Sequence, residues 1–329
     1  AGAVAAGREP RSLPAAPLMH TTALFKSLAT LLLGGCVVFA GSRSLDADEL
    51  CRLIEAERVV DLSIVGDAFA RPLLAALEAA AAAGHPYDCS SVRRVGSAGV
   101  RWSPEVKAGL ARFLPEATFT DILASTEGGP YALAVTRPGE DPRTTHPRLT
   151  PNGRILDELD HDVPPGSGRQ GVLAATGSMP VGYLNDPERT ARTWRVVDGV
   201  RHVISGDMAT IDADGNVTLL GRGSEVVNTG GEKVFVEEVE QVVLTHPGVA
   251  DVVVVGVPDE RLGHRVVALV APHPDGRLTE RDVVDHVGAV LADHKRPRQV
   301  LFVDAVRRSP SGKADRSWAK ATAAAAPPA

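Results

Sequence analysis

No pair of cysteines in the sequence has metal-ligand spacing. Cys36, Cys51 and Cys89 are odd in number and scattered, which argues against a zinc site or a disulfide framework and for a reducing, cytoplasmic setting. No CxxC, HExxH or GxSxG occurs. A dinucleotide fingerprint fails as well, because Val226 stands where the third glycine after Gly221 and Gly223 would fall. Basic residues are in deficit, 35 against 41 acidic for a net charge of −6, so a nucleic-acid partner is not expected. A long apolar run is missing too. The segment "LATLLLGGCVVFAG" (28–41) is too short to span a membrane. With Arg8, Arg11 and Lys26 before it, a signal peptide is one reading. The Gly34–Gly35 break favours another, a helix that ends before a buried strand, "CVVFA".

A chain of 329 residues predicts at least two domains. The first half alternates strand and helix. "VVDLSIVG", "VRRVGSAG" and "ATFTDILAS" read as strands, and 67–84 and 103–114 as helices, the second opening with Ser then Pro. This is an α/β, largely parallel pattern over about 17–130. From about 131 to 221, short β runs such as "QGVLAAT" and "GNVTLLG" are separated by Pro, Gly and Asp turns, which predicts a small antiparallel sheet or barrel. Residues 222–320 read as a compact α+β domain, and 321–329, "ATAAAAPPA", as a disordered tail.

Three short stretches carry candidate chemistry. "ILASTEGG" places Thr126 and Glu127 directly after a strand, where ligands of open α/β sheets bind. A hydroxyl beside a carboxylate suits phosphate with Mg²⁺, although a cap or turn explains the same residues. "HVISGDMATID" carries Asp207, read either as a turn residue between two β runs or as a carboxylate gripping vicinal hydroxyls. "SPSGKADR" puts Lys313 in a Pro/Gly/Ser loop. A solvated loop lysine fits, and so does a cation delivered to a developing anion. It is not a phosphate-binding GxxxxGK[ST] loop, since Arg307 and Ala314 occupy required positions.

Their order is more informative than any one of them. Thr-Glu after a strand, Asp in a Gly-Asp step, "GRGSEVVNTGGEKV", an acidic helix start and "PSGK" near the end together resemble the adenylate-forming (AMP-binding) superfamily. The likeness is strongest to acyl-CoA synthetases, the fatty-acid–CoA ligases, and runs through most of the chain. It implies ATP/AMP, Mg²⁺ and CoA as cofactors and a fatty or other carboxylic acid as substrate. It assigns Thr126 to the AMP phosphate, Glu127 to Mg²⁺, Asp207 and Arg222 to the ribose, and Lys313 to the first half-reaction. "PLMH" puts His20 near the acyl pocket, and Gly99 in "GSAGV" lets backbone approach the nucleotide. Gly223 and Ser224 become the interdomain hinge, and Gly230–Gly231 a loop near the pantetheine channel, although an ordinary hairpin turn fits that glycine pair.

Several positions depart from the pattern. Leu123 occupies the adenine-stacking position usually held by an aromatic residue, Ala124 replaces the following glycine, Ser224 an Asp or Lys, and Val236 a proline. No Ser/Thr/Gly-rich lysine loop precedes "PLMH". The expectation is therefore a chain lacking the first part of the large domain, poorly active, with Ala1–Ala16 as connector. A non-catalytic nucleotide or acyl-CoA-binding remnant, or an adenylating enzyme for aryl or amino acids, are the alternatives. A homo-oligomer is possible.

Overall fold

The computed structural model describes residues 9–327 other than 101, 275, 276 and 311. Three sheets organise it. The first has seven strands in the order β2 (Cys36–Val37), β1 (Arg11–Pro14), β3 (Asp61–Ile64), β4 (Arg94–Ala98), β5 (Thr118–Ser125), β6 (Gly128–Thr136) and β7 (Arg148–Leu149). The strands are parallel through β5, and β6 and β7 continue antiparallel. Helices α1 (Thr21–Leu32), α2 (Ala47–Ala56), α3 (Gly66–Ala82) and α4 (Pro104–Phe113) alternate with the parallel strands. Leu13, Leu62, Ile64, Phe69, Leu73 and Leu110 fill the core between these layers.

Three expectations about this region need correction. Residues 11–14, expected in a connector, form β1 and pair with β2 and β3; residues 1–8 lie outside the described part. Strands β6 and β7 belong to the first sheet although they follow residue 128, because the tight Thr126–Glu127 turn folds β6 straight back on β5. The third correction concerns the far end, where α8 (Arg316–Ala325) replaces most of the expected disordered tail. Its alanines at 319 and 323 are buried against the third sheet, and packing of this kind outweighs the weak autonomy of a short helix.

The second sheet is five-stranded and antiparallel, formed by β8 (Gly153–Leu156), β9 (Gly171–Ala175), β10 (Trp194–Val197), β11 (Val200–Ile211) and β12 (Val217–Arg222). Helix α5 (Pro187–Thr193) precedes β10. The third sheet joins β13 (Val226–Thr229), β14 (Glu232–Phe235), β15 (Val249–Asp259), β16 (Gly263–Pro272) and β17 (Gln299–Phe302). The near-continuous valine run of β15 has a simple cause. Val252 and Val254 point to one face, against α6 (Val236–Val243) and α7 (Glu280–Gly288), while Val253 and Val255 point to the other, against α8. A strand covered on both faces loses the polar alternation of a half-exposed one.

Helix α1 is amphipathic in an unusual sense. Its buried positions are small, Ala23, Ser27 and Thr30, and Thr30 exchanges a 2.7 Å hydrogen bond with Ser12 of β1. The outer face carries Phe25, Leu28, Leu31 and Leu32, with Leu32 87% exposed. A contiguous apolar face of this kind drives association. The chain is expected to self-associate in dilute buffer, and Leu28→Glu with Leu32→Glu to shift sedimentation toward monomer. An unchanged distribution would mean that another surface is responsible. Among the described residues, no helix is long and apolar enough to cross a membrane.

Candidate functional site

Ligands of open α/β sheets bind beyond the carboxyl ends of the parallel strands, and His20, Gly99 and Thr126–Glu127 follow β1, β4 and β5 there. His20 caps the N-terminus of α1. Its Nδ1 accepts from the Thr22 backbone N–H at 3.3 Å, so a neutral ring carries its proton on Nε2. That edge faces Gly99, just past β4. A Cβ at Gly99 would sit 3.1 Å from His20 Nε2, on a backbone with φ of +89°, so this glycine is needed both for its conformation and for space. Burial, and then the Lys313 charge, hold the imidazole below its ordinary pKa.

Thr126 and Glu127 form the turn between β5 and β6. Thr126 Oγ1 is 3.5 Å from Thr21 Oγ1, so a hydroxyl pair spans the strand end and the start of α1. Glu127 Oε1 accepts from the Tyr183 hydroxyl at 2.5 Å, and its backbone carbonyl accepts from Trp194 Nε1 at 3.3 Å. The Arg189 guanidinium lies 4.0 Å from the Tyr183 ring centre and 3.9 Å from Glu127 Oε1. Burial would raise the Glu127 carboxyl, but the Tyr183 hydrogen bond and its other partners prevail and hold it below its ordinary value. Among the described residues, no cluster of three or more His, Cys, Asp or Glu could cage a metal. One ionised carboxylate suits Mg²⁺ that arrives with a nucleotide and keeps phosphate and water ligands, and Glu127 has that chemistry.

The sequence places Asp207 in a turn between two β runs. That residue lies instead inside the twelve-residue strand β11, at an irregularity in the pairing with β9 between Ile204 and Met208. Gly206, at φ of +79°, supplies the bulge that lets the strand continue through the Gly-Asp step. Arg222 stands directly opposite on β12, and Asp207 Oδ1 accepts from its Nε at 3.2 Å. Burial raises the Asp207 carboxyl, and Arg222 and Lys313 oppose that rise.

The Lys313 charge lowers the pKa of His20 and opposes the rise of Asp207. Gly312, next to Lys313, packs closely. A Cβ there would lie 2.8 Å from Ala68 Cβ, with Phe69 and Val65 also close, so the backbone beds directly on the start of α3.

Other expected positions lie elsewhere. Gly230–Gly231 is the two-residue turn of the β13–β14 hairpin, with φ of +59° and +90°, as the tight hairpin geometry demands. Its Gly230 N–H donates to Leu262 at 2.9 Å, so the glycine pair packs within the third sheet's domain. Leu123 pairs with Ala132 on β6 and packs toward the core of the second sheet. Gly223 and Ser224 begin a short 3₁₀ turn, Gly223–Glu225, between β12 and β13.

Sequence reasoning missed Tyr183, Arg189 and Trp194, which surround Glu127. The Asp186-Pro187-Glu188 start of α5, with Asp186 capping Arg189 N–H at 2.9 Å, was a readable helix signal. It could not show that Tyr183 reaches a carboxylate 56 residues earlier in the chain. Glu237 on α6 was missed too. Its Oε2 would lie 2.0 Å from a Cβ on Gly221, so its carboxylate rests on the backbone of β12. Burial, only partly relieved by Arg316, pushes Glu237 up to about 7 from 4.5.

That shift has a definite sign. A carboxyl with a raised folded-state pKa must be charged against its surroundings as pH rises from about 4.5 through about 7, so it progressively destabilises the fold over that window and by a constant amount above it. Glu237→Gln should therefore raise stability by about 3 kcal/mol at pH 8 and by little at pH 4.5. Denaturant titrations at the two pH values test this. Equal effects at both would show that Glu237 is not the titrating group.

The mainly parallel sheet, the antiparallel sheet and the smaller third domain define the adenylate-forming fold. Residues 2–183 match the AMP-binding enzyme model and 238–313 the AMP-binding enzyme C-terminal domain model, so the chain belongs to the AMP-binding enzyme family. It is 41% identical over 316 residues to a medium/long-chain-fatty-acid–CoA/3-oxocholest-4-en-26-oate–CoA ligase of Mycobacterium marinum, covering 95% of this chain and 56% of that protein. It is 40% identical to the medium-chain acyl-CoA ligase Mig of Mycobacterium avium, over 92% of this chain and 54% of the relative. The amide bond synthetase McbA from Marinactinospora thermotolerans superposes with a TM-score of 0.79 at 26% identity, covering 95% of this chain and 61% of that one. The chain thus spans about half the length of the curated relatives it matches.

Proposed function

We propose that this chain carries the nucleotide-activating and thioester-forming machinery of an acyl-CoA synthetase. A fatty or other carboxylic acid and ATP give acyl-AMP and pyrophosphate, and the CoA thiol then displaces AMP. The observation that carries this reading is the seating of Gly312 on Val65, Ala68 and Phe69, with the Lys313 charge acting on His20 and Asp207. A cation aimed at the strand ends offsets the charge that builds between an attacking carboxylate and an α-phosphate.

The remaining roles are those the family resemblance implies, and the contacts of each residue support them. Asp207, braced by Arg222, accepts hydrogen bonds from the two ribose hydroxyls. Thr126 donates its hydroxyl to the α-phosphate. Mg²⁺ carried in with ATP would neutralise phosphate charge, and Glu127 would hold it. Tyr183 keeps the Glu127 carboxylate aimed. His20, with its proton on Nε2, borders the acyl group's entry beside Gly99. Three free cysteines, two of them buried, fit a cytoplasmic setting, and the outer face of α1 supports a homo-oligomer.

The test is direct. Calorimetric titration with AMP should show saturable binding, and synthetic acyl-AMP of graded chain length plus CoA should yield acyl-CoA. AMP binding without acyl-CoA at any chain length would reduce the chain to a nucleotide-binding protein. Absence of both would remove the reading altogether.

A further inference from the structure

Arg316 opens α8, three residues after Lys313, and its side chain turns back into the domain. Nε lies 2.6 Å from Glu225 Oε2. Nη1 donates to Glu240 Oε1 at 2.8 Å and to the Val254 carbonyl at 2.9 Å. Nη2 donates to the second Glu240 oxygen at 3.3 Å and stands 3.6 Å from Glu237 Oε1. One guanidinium, 19% exposed, thus gathers three carboxylates. Two of them reach the junction between the domains. Glu225 ends the Gly223–Glu225 turn that joins β12 to β13, and Glu237 rests on Gly221 of β12 with the Asp207 carboxylate near it.

We propose that Arg316 is a positioning residue that ties Lys313 to the interdomain turn, so that the lysine reaches the strand ends only when that turn is in the arrangement seen here. This rests on the ligase reading above.

The physical argument is one of charge and geometry. Glu225, Glu237 and Glu240 come from the turn and from α6, and without a shared cation they repel one another. The other charges facing them are Asp207 on β11, beside Glu237, and Arg308, beside Glu240, and Arg308 is already engaged by Asp251. Arg316 is therefore the cation shared by all three. The planar fork suits this role, since it binds Glu240 through both oxygens while Nε reaches Glu225. A lysine could supply the charge but not that geometry. Because the backbone runs from Lys313 through Ala314 and the Asp315 cap, which accepts from Trp318 N–H at 2.9 Å, loosening Arg316 loosens the lysine's approach without touching the reacting atoms.

The experiment compares Arg316→Gln, Arg316→Lys, Glu225→Gln and Lys313→Ala in the full chain. Hydrogen exchange is measured at 221–225 and at 66–69, with β15 and β16 as the internal control. Acyl-adenylate formation and thioester formation from supplied acyl-AMP are measured separately. Arg316→Gln should speed exchange about tenfold or more at the turn and beneath Gly312, with the control strands unchanged. It should also lower adenylate formation at least about tenfold more than thioester formation. Arg316→Lys should recover only part of this. Glu225→Gln removes only the turn-side partner, so it should show the same pattern more weakly even if Arg316→Gln does not fold. Unchanged exchange in both Arg316→Gln and Glu225→Gln overturns the proposal, and so does equal loss in the two half-reactions. If Lys313→Ala leaves adenylate formation intact, the ligase reading falls, while the exchange data still decide whether Arg316 holds the turn.

Discussion

Lys313→Ala, made in a full-length context, is expected to cut acyl-adenylate formation about a hundredfold or more, while thioester formation from supplied acyl-AMP changes only slightly. A positioned cation in a water-poor site contributes roughly 3 kcal/mol to a transition state of this kind. The lysine side chain itself is exposed, whereas Gly312 beside it is buried against α3, so truncation removes charge without opening a cavity. The Arg308 guanidinium continues to hold the Gly312 carbonyl at 2.8 Å, and the loop should stay in place. The measurement is pyrophosphate release with ATP and a panel of acids, set beside acyl-CoA formation from synthetic adenylates. Equal loss in the two half-reactions would mean that Lys313 supports the domain rather than the first chemical step.

What the sequence disclosed about this site, and what it hid, divides along physical lines. The strand-end position of Thr126 and Glu127 was legible because strand period and glycine turns are local signals. So was the α+β character of the last domain, since the valine runs of β15 and β16 and the acidic start of α6 declare themselves over a few residues. The placement of Asp207 in a turn fails because a Gly-Asp step marks a bulge and a turn equally well, and only pairing with β9 and β12 separates them. The connector that became β1 failed for a similar reason. Four residues ending in proline carry little strand signal alone, and neighbours on both sides supply the hydrogen bonds. The network around Arg316 was out of reach altogether. Its partners Glu225, Glu237 and Glu240 are ordinary surface residues by type, and only folding brings them around one guanidinium.

The ribose contact gives the other large effect. Asp207→Ala should weaken AMP binding by about 1.5–3 kcal/mol, through loss of charge-assisted hydrogen bonds to two hydroxyls. The position makes this a clean test. The Asp207 side chain is 20% exposed, and Arg222 holds it. The bulge depends on Gly206 and on the Asp207 backbone N–H, which donates to Ser205 Oγ at 2.9 Å. None of these is removed by the substitution, so β11 should keep its course. Arg222, released from its partner, is already half-exposed and can be solvated. Asp207→Asn separates the two contributions, because it keeps hydrogen-bonding capacity while removing the charge, and it should fall between wild type and alanine. Calorimetric titration with AMP, alongside a denaturant midpoint for each variant, reads both quantities. Unchanged AMP affinity in Asp207→Ala, with the fold intact, would leave Asp207 as no more than the cross-strand partner of Arg222.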